Sequence, residues 1–371
     1  MIMINPVFFV DIDYRFSKGG RLKMTFSMPV DKPSTTVVFG PSGSGKSTLL
    51  HCLSGIERPD AGVIRFGNRL WFDSQTKINQ APRSRDLGLL FQDYPLFPHF
   101  TLSKNIGYGF KGLTKTEQEN HANPWIRFAG LEGKEQRYPD ELSGGERQRA
   151  ALAQLLAVMP RLLLLDEPFS ALDLHTRTLI QGKLRRWIHE NKRTALLITH
   201  DLAEALAFGD QLIILSEGQI LQQGRPMDIF SRPALPSVAK IIGIENLLFG
   251  KVTSSEAGTV TLAVGKAQLI AGGSILPNET CFAAFRAEEV VLEVGQAPQS
   301  SARNRLSGIV REIVPHGPQM RVSIDCGFLL TACITLSSAH RLSLKAGMKI
   351  TAVVKASAIH VLSAPNPNQR S

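Results

Sequence analysis

Cysteine is scarce in this chain. Only four occur in 371 residues, Cys52, Cys281, Cys326 and Cys333, and no two stand at the spacing of a zinc or redox motif. A disulfide scaffold is excluded, and a chain of this length buries a full core without one. Reduced, small, mostly buried thiols are the expected state. Aromatic residues are also few, at 7%. No basic run is interleaved with aromatics, so the stripe expected of a nucleic-acid surface is missing and no nucleic-acid partner is expected. No apolar stretch reaches the roughly 18 residues a membrane helix needs. The longest candidate, from Ala150 to Leu165, is broken by Gln154, Pro160 and Arg161. The N-terminus has no basic leader and meets Asp11 before any long apolar stretch, which argues against a signal peptide. Any work at a membrane is expected of a peripheral subunit.

What is present is ordinary globular composition, 43% hydrophobic and 20% charged. The length suggests two or three domains. The net charge is +10, and from Ala234 onward 13 basic residues face 8 acidic ones. A basic surface of this kind suits phosphates, small anions or an acidic membrane leaflet.

Residues 1–235 alternate strand-like and helix-like segments. Thr35 to Phe39 is a β-branched run followed by a Gly-rich loop, after which Leu49, Leu50, Leu53 and Ile56 recur at helical spacing. Leu162 to Leu165, Thr194 to Thr199 and Gln211 to Leu215 are short apolar runs of the kind found in buried parallel strands. This alternation predicts a parallel sheet covered by helices. Residues from about 100 to 155 read as a helical subdomain, with Pro95, Pro98, Pro124 and Pro139 as punctuation. The character changes after Pro233 and Pro236. Residues 236–371 read as an all-β, barrel-like domain of two similar halves, about 249–293 and 301–363, with Arg286 and Lys355 at matching places.

Gly40-Pro41-Ser42-Gly43-Ser44-Gly45-Lys46-Ser47-Thr48 fits G-x-x-x-x-G-K-[ST] between a strand and a helix. Glycines let backbone N–H groups turn inward around phosphate oxygens, and the following helix adds its positive end. Lys46 is placed to reach the β- and γ-phosphates, and the Ser47 hydroxyl to ligate Mg²⁺. A second element is the apolar strand that ends in Asp166-Glu167. Asp166 suits Mg²⁺, and Glu167 suits polarisation of a water. ATP and Mg²⁺ are therefore the expected ligands.

Leu142-Ser143-Gly144-Gly145-Glu146-Arg147-Gln148 resembles the signature sequence of ABC-transporter ATPases. Around it, in the family's order, Gln92 resembles the Q-loop glutamine, Ser170-Ala171-Leu172-Asp173 the D-loop, and His200 the switch histidine. The resemblance implies an α/β P-loop NTPase cassette with a mixed sheet and a helical subdomain. It implies a head-to-tail homodimer that sandwiches ATP, with Ser143, Gly144, Gly145, Glu146 and Asp173 acting on the partner's nucleotide. It also implies Glu167 as general base, His200 on the γ-phosphate, and Gln92 beside Ser47 and Asp166 at Mg²⁺. Two features depart from the family pattern. The aromatic that stacks on adenine could be Tyr14 or Phe16, or neither, and Gln154 stands where members commonly have Arg.

The segment Tyr94-Pro-Leu-Phe-Pro-His99-Phe-Thr-Leu, with Asn105 after it, resembles the importer branch. That implies integral membrane permease subunits, a periplasmic or lipoprotein substrate-binding protein, and a peripheral place on the cytoplasmic face of the inner membrane. Residues 301–363 resemble a Mop/TOBE-type, OB-like domain, and the whole chain most resembles the ATPase of a molybdate importer. Molybdate and tungstate are tetrahedral dianions that need donors without nearby carboxylates. Ser301, Arg303, Asn304, Lys355 and Ser357 form the candidate oxyanion site, whereas Arg286 is followed by Glu288 and Glu289. Sulfate, iron(III) or polyamine import is the alternative. A soluble non-transport ABC ATPase is disfavoured by the single motif set and the lack of a long heptad run.

Overall fold

The computed structural model describes residues 7–17, 19–110, 112–256, 258–295 and 301–363. Residues 1–6, on which part of the signal-peptide expectation falls, lie outside these. The chain divides into two compact units, Met1–Met227 and Asp228–Ser371. The break falls ahead of the prolines that mark it in the sequence. Arg286 lies over the Phe230 ring, 5.9 Å from its centroid, and helix Pro236–Ile241, which buries Val238 and Ala239, packs on strand Thr280–Phe285. The segment around Pro233 is thereby held in the second unit.

In the first unit, a six-stranded sheet runs in the order Gln219–Gly224, Gln211–Ser216, Ser34–Phe39, Thr194–Thr199, Leu162–Asp166, Leu87–Leu90. Gln219–Gly224 is the antiparallel edge, and the other strands pair in parallel. Every residue of Ser34–Phe39, Leu162–Asp166 and Thr194–Thr199 is buried. That is why these strands read as unbroken apolar runs rather than alternating ones. A second, antiparallel sheet carries the alternating pattern instead: Arg21–Pro29 buries every other residue and pairs with Val7–Arg15. Phe8, Phe66 and Trp71 form an aromatic cluster in the core, Phe66 stacked on Trp71 at 5.2 Å.

Helix Lys46–Ser54 sinks Leu49, Leu50 and Leu53 into that same core. Ile56, expected on the same helical face, lies beyond its end and is exposed. Gly55 stops the helix in a left-handed conformation, φ 83°. Buried Arg85 then caps the helix carbonyls, donating to Cys52 O at 2.9 Å and Leu53 O at 2.7 Å. The helical subdomain comprises Leu102–Gly107, Lys115–Ala129 and Gly144–Ala157, whose Ile106, Ala122, Ile126, Ala150 and Ala153 share one cluster. Pro124 does not punctuate it. The helix runs through Pro124, which sits on the exposed face while Ala122, Ile126 and Ala129 face inward. A Thr114–Glu117 capping box secures the helix start.

The second unit holds a closed five-stranded barrel and a five-stranded sheet around one core. The halves read from the sequence exchange their last strands. Val291–Glu293, ending the first half, pairs with Lys349–Val354 of the second. His360–Ser363, ending the second, pairs with Thr280–Phe285 and closes the first half's barrel. Arg286 and Lys355 do occupy equivalent places, each preceding a short 3₁₀ turn between strands, Ala287–Glu289 and Ala356–Ala358.

Candidate nucleotide-binding site

The phosphate loop connects strand Ser34–Phe39 to helix Lys46–Ser54. Gly40 cannot carry a side chain, because a Cβ there would lie 2.0 Å from Leu215 O. Gly45 is left-handed at φ 100° and starts the helix. Lys46 is buried and donates from Nζ to Gly40 O at 2.9 Å and Pro41 O at 2.8 Å. Burial lowers its pKa, opposed by Glu167 and Asp166. Ser44 Oγ is buried with no hydrogen-bond partner among the described residues. A buried hydroxyl without a partner, a lysine folded on loop carbonyls and a helix N-terminus fit an incoming polyphosphate.

Asp166, at the buried end of its strand, receives a hydrogen bond from the Ser47 hydroxyl. Burial raises the Asp166 pKa, and the Ser47 bond opposes that rise. An oxygen pair of this kind, hydroxyl and carboxylate, has the hard donor chemistry Mg²⁺ prefers. Glu167 follows in a left-handed conformation, φ 46°. Its N–H donates to Ile198 O at 3.0 Å, and its Oε1 lies 2.8 Å from His200 Nδ1. Gln92 is exposed in the turn after strand Leu87–Leu90.

A cavity of about 170 Å³ adjoins the Glu167–His200 pair, lined also by Ser170, Arg177, Thr199, Asp201 and Glu204. Arg177 spans it, donating to Asp201 Oδ2 at 3.1 Å and Leu172 O at 3.3 Å. Thr199 Oγ1 donates to Glu204 Oε2 at 2.6 Å. Burial raises the Glu204 carboxyl, which the Thr199 bond opposes. Arg177 and Glu204 therefore brace the His200 turn. Neither stands out in the sequence, since their pairing depends on two helices meeting.

Ser143 begins helix Gly144–Ala157 as its N-cap, in a reciprocal box with Glu146: Ser143 N to Glu146 Oε2 at 2.9 Å, Glu146 N to Ser143 Oγ at 3.3 Å. Glu146 is also paired with Lys134, whose hydrogen bond holds its pKa down. Asp173 likewise caps helix Leu174–Glu190 by accepting from Thr176 N at 3.0 Å. Within one chain, both carboxylates thus have local structural partners. Of the two aromatic candidates, Phe16 reaches the phosphate loop, its Cζ 3.7 Å from where a Gly45 Cβ would be. Tyr14 turns to Glu57, whose hydrogen bond raises the phenol to about 12.

The candidate oxyanion residues do not share a setting. Ser301, Arg303, Lys355 and Ser357 lie outside the buried core, whereas Asn304 is 1% exposed. Its amide is occupied by backbone: it accepts from Ile270 N at 2.6 Å and donates to Ile270 O at 2.8 Å and Val354 O at 3.2 Å. Asn304 is thereby corrected from an oxyanion donor to a structural cross-link. Ser357 lines a cavity of about 560 Å³ with Arg232 and His360.

Comparison with known proteins matches residues 24–170 to the ABC transporter family and residues 300–361 to the TOBE domain. The chain is 40% identical over 223 residues to the sulfate/thiosulfate import ATP-binding protein CysA of Synechococcus elongatus, covering 60% of this chain and 63% of that protein, less than two thirds of its length. It is 36% identical to the spermidine/putrescine import ATP-binding protein PotA of Acidothermus cellulolyticus, over 75% of this chain and 72% of that one. The dimeric post-hydrolysis structure of the ATP-binding cassette MJ0796 with ADP and Pi superposes with a TM-score of 0.52 at 26% identity, over 59% of this chain and 98% of that one.

Proposed function

Since this chain belongs to the ATP-binding proteins of ABC transporters, we propose that it hydrolyses ATP to drive an importer whose permease lies in the membrane. The observation that carries this is the placement, within one cassette, of a buried Ser44 hydroxyl without a partner among the described residues, the Ser47–Asp166 pair and the Glu167–His200 pair. Loop amides and Lys46 bind the phosphates, Lys46 leaving the Gly40 and Pro41 carbonyls to do so. Phe16 takes the adenine. Ser47 and Asp166, with Gln92, hold Mg²⁺, which when bound neutralises charge on the phosphate oxygens. Glu167 accepts the proton of the attacking water, and His200 orients Glu167 and meets the γ-phosphate. A second copy contributes Ser143, Gly144 and Gly145, with Glu146 and Asp173 behind them, so ATP joins the two cassettes and hydrolysis parts them.

Docking to the permease is supported by an apolar cavity of about 320 Å³ lined by Phe91, Pro95, Phe97, Tyr108, Leu155 and Val158. Buried Asn105 shapes its rim, accepting from Phe97 N at 2.7 Å and donating to Phe97 O and Phe100 O. Among the described residues no helix is long and apolar enough to cross a membrane. Attachment through this groove, at the cytoplasmic face, is the reading that fits.

For the cargo, the named relatives favour sulfate or thiosulfate, or a polyamine, over molybdate. Molybdate or tungstate rests on the likeness of residues 301–363, and with Asn304 occupied that likeness has lost one donor. Mg-dependent ATP hydrolysis by the purified chain tests the enzymatic reading, and its absence with and without permease would end it. Uptake of labelled sulfate, molybdate and spermidine by cells with and without the gene decides the cargo.

A further inference from the structure

Tyr94 stands beside the site without taking part in the chemistry itself. It lies two residues after Gln92 and is left-handed at φ 49°, as is Glu167 at φ 46°. Non-glycine residues in this region are strained and persist only where their surroundings over-determine them. Here the two are bonded to each other. Tyr94 Oη donates to Glu167 O at 2.9 Å and lies 2.8 Å from Ser170 Oγ. It also accepts from Gln148 Nε2. A phenol has one donor and two acceptor sites, so its donor is spent on Glu167 O and at least one acceptor site on Gln148.

Gln148, 1% exposed on the signature helix, extends the network. Its Nε2 also reaches Glu167 O at 3.2 Å, and its Oε1 accepts from Ala171 N at 3.1 Å. With Ser170 N and Oγ, each 3.3 Å away, the Glu167 carbonyl becomes a junction of four groups from three segments. The Glu167 N–H is fixed on Ile198 O. Both backbone groups of this residue are therefore pinned, which sets the direction of its side chain.

We propose that Tyr94 is a positioning residue for hydrolysis: through the Glu167 carbonyl it holds the Glu167 carboxylate on His200, and through Gln148 it ties the segment after Gln92 to the signature helix. This rests on the ATPase reading. The consequence is that a shift at Gln92, on the permease side, moves the signature helix and the general base together.

The test is Tyr94→Phe in the full chain, which keeps the ring and deletes the hydroxyl. Losing a buried bond to a constrained carbonyl should lower kcat about tenfold while KM for ATP stays within about twofold. Hydrogen exchange of the segment 167–172, read without nucleotide, should quicken. Gln148→Ala should do the same, and the double variant should lose less than the product of the two single effects. Unchanged kcat with unchanged exchange overturns the proposal, and so does equal loss in kcat and ATP affinity. A wild-type chain that never hydrolyses ATP overturns the functional reading and this inference with it. An active wild type beside an unaltered Tyr94→Phe overturns this inference alone.

Discussion

Asn246 and Asn304 make the same pair of hydrogen bonds in opposite directions. Asn246, first residue of strand Asn246–Glu256, clasps the backbone of Thr331 in the other half, at 2.9 Å to its O and 2.8 Å from its N. Asn304, first residue of strand Asn304–His316, clasps Ile270 in the first half in the same way. Both side chains are buried. Each ties one half of the second unit to the other through side chain and backbone rather than through strand pairing.

Replacing either asparagine by alanine leaves a buried peptide without donor and acceptor, which costs about 2–4 kcal/mol. Calorimetry of the full chain should show the loss in the transition of the second unit, with ATP hydrolysis intact. The loss at Asn304 should be the larger, since its amide also serves Val354 O, and a loss there well below that at Asn246 would refute the shared role.

Arg85→Met should destabilise the first unit by about 3 kcal/mol or more, since it strands the Cys52, Leu53 and Gln80 carbonyls and the Asn79 amide oxygen. The guanidinium is also the cation at the C-terminal end of the phosphate-loop helix. Burial lowers its pKa to about 10. Denaturant unfolding monitored through Trp71, whose ring lies 5.8 Å from the guanidinium carbon, measures the change.

Glu167→Gln should leave ATP binding within about twofold and lower kcat by about a hundredfold or more, because the amide cannot accept the proton. His200→Ala should follow the same division. Nucleotide binding by calorimetry and phosphate release report the two quantities. Parallel loss of both would mean the pair only shapes the loop.

Burial raises the folded pKa of Glu204 above 4.5, so the folded chain binds more protons than the unfolded one between 4.5 and that higher value. The contribution of this group to stability is full below 4.5 and falls as pH rises through the folded pKa. Glu204→Gln should flatten the stability profile over that window. Urea midpoints from about pH 4 to 8 test this, and an unaltered slope would show that Arg177 and Thr199 already offset the burial.

The phosphate-loop motif is legible in the sequence because its chemistry fixes residue types at fixed spacing, and it lies between strand Ser34–Phe39 and helix Lys46–Ser54 as that spacing requires. The buried strands are legible because a short apolar run without alternation suits a strand covered on both faces. Ile56 and Pro124 mislead, since a left-handed Gly55 and an outward-facing proline override local periodicity. Asn304 misleads for a different reason. A donor-rich polar residue looks alike whether it meets an ion or a distant backbone, and its partner Ile270 is 34 residues away along the chain. Tyr94 and Gln148 sit inside two separate motifs, and only folding brings them together.

The strand exchange in the second unit also sets a schedule for synthesis. The barrel that begins at Asn246 cannot close until His360–Ser363 has left the ribosome, although its other strands are made long before. During that interval it presents an open edge beside apolar residues such as Val260, Leu262 and Leu269, the condition under which nascent chains stick to one another. The same delay makes the last strand a quality check: a ribosome that stalls before it releases a cassette with an unfinished barrel, which proteases can recognise before the cassette ever meets a partner.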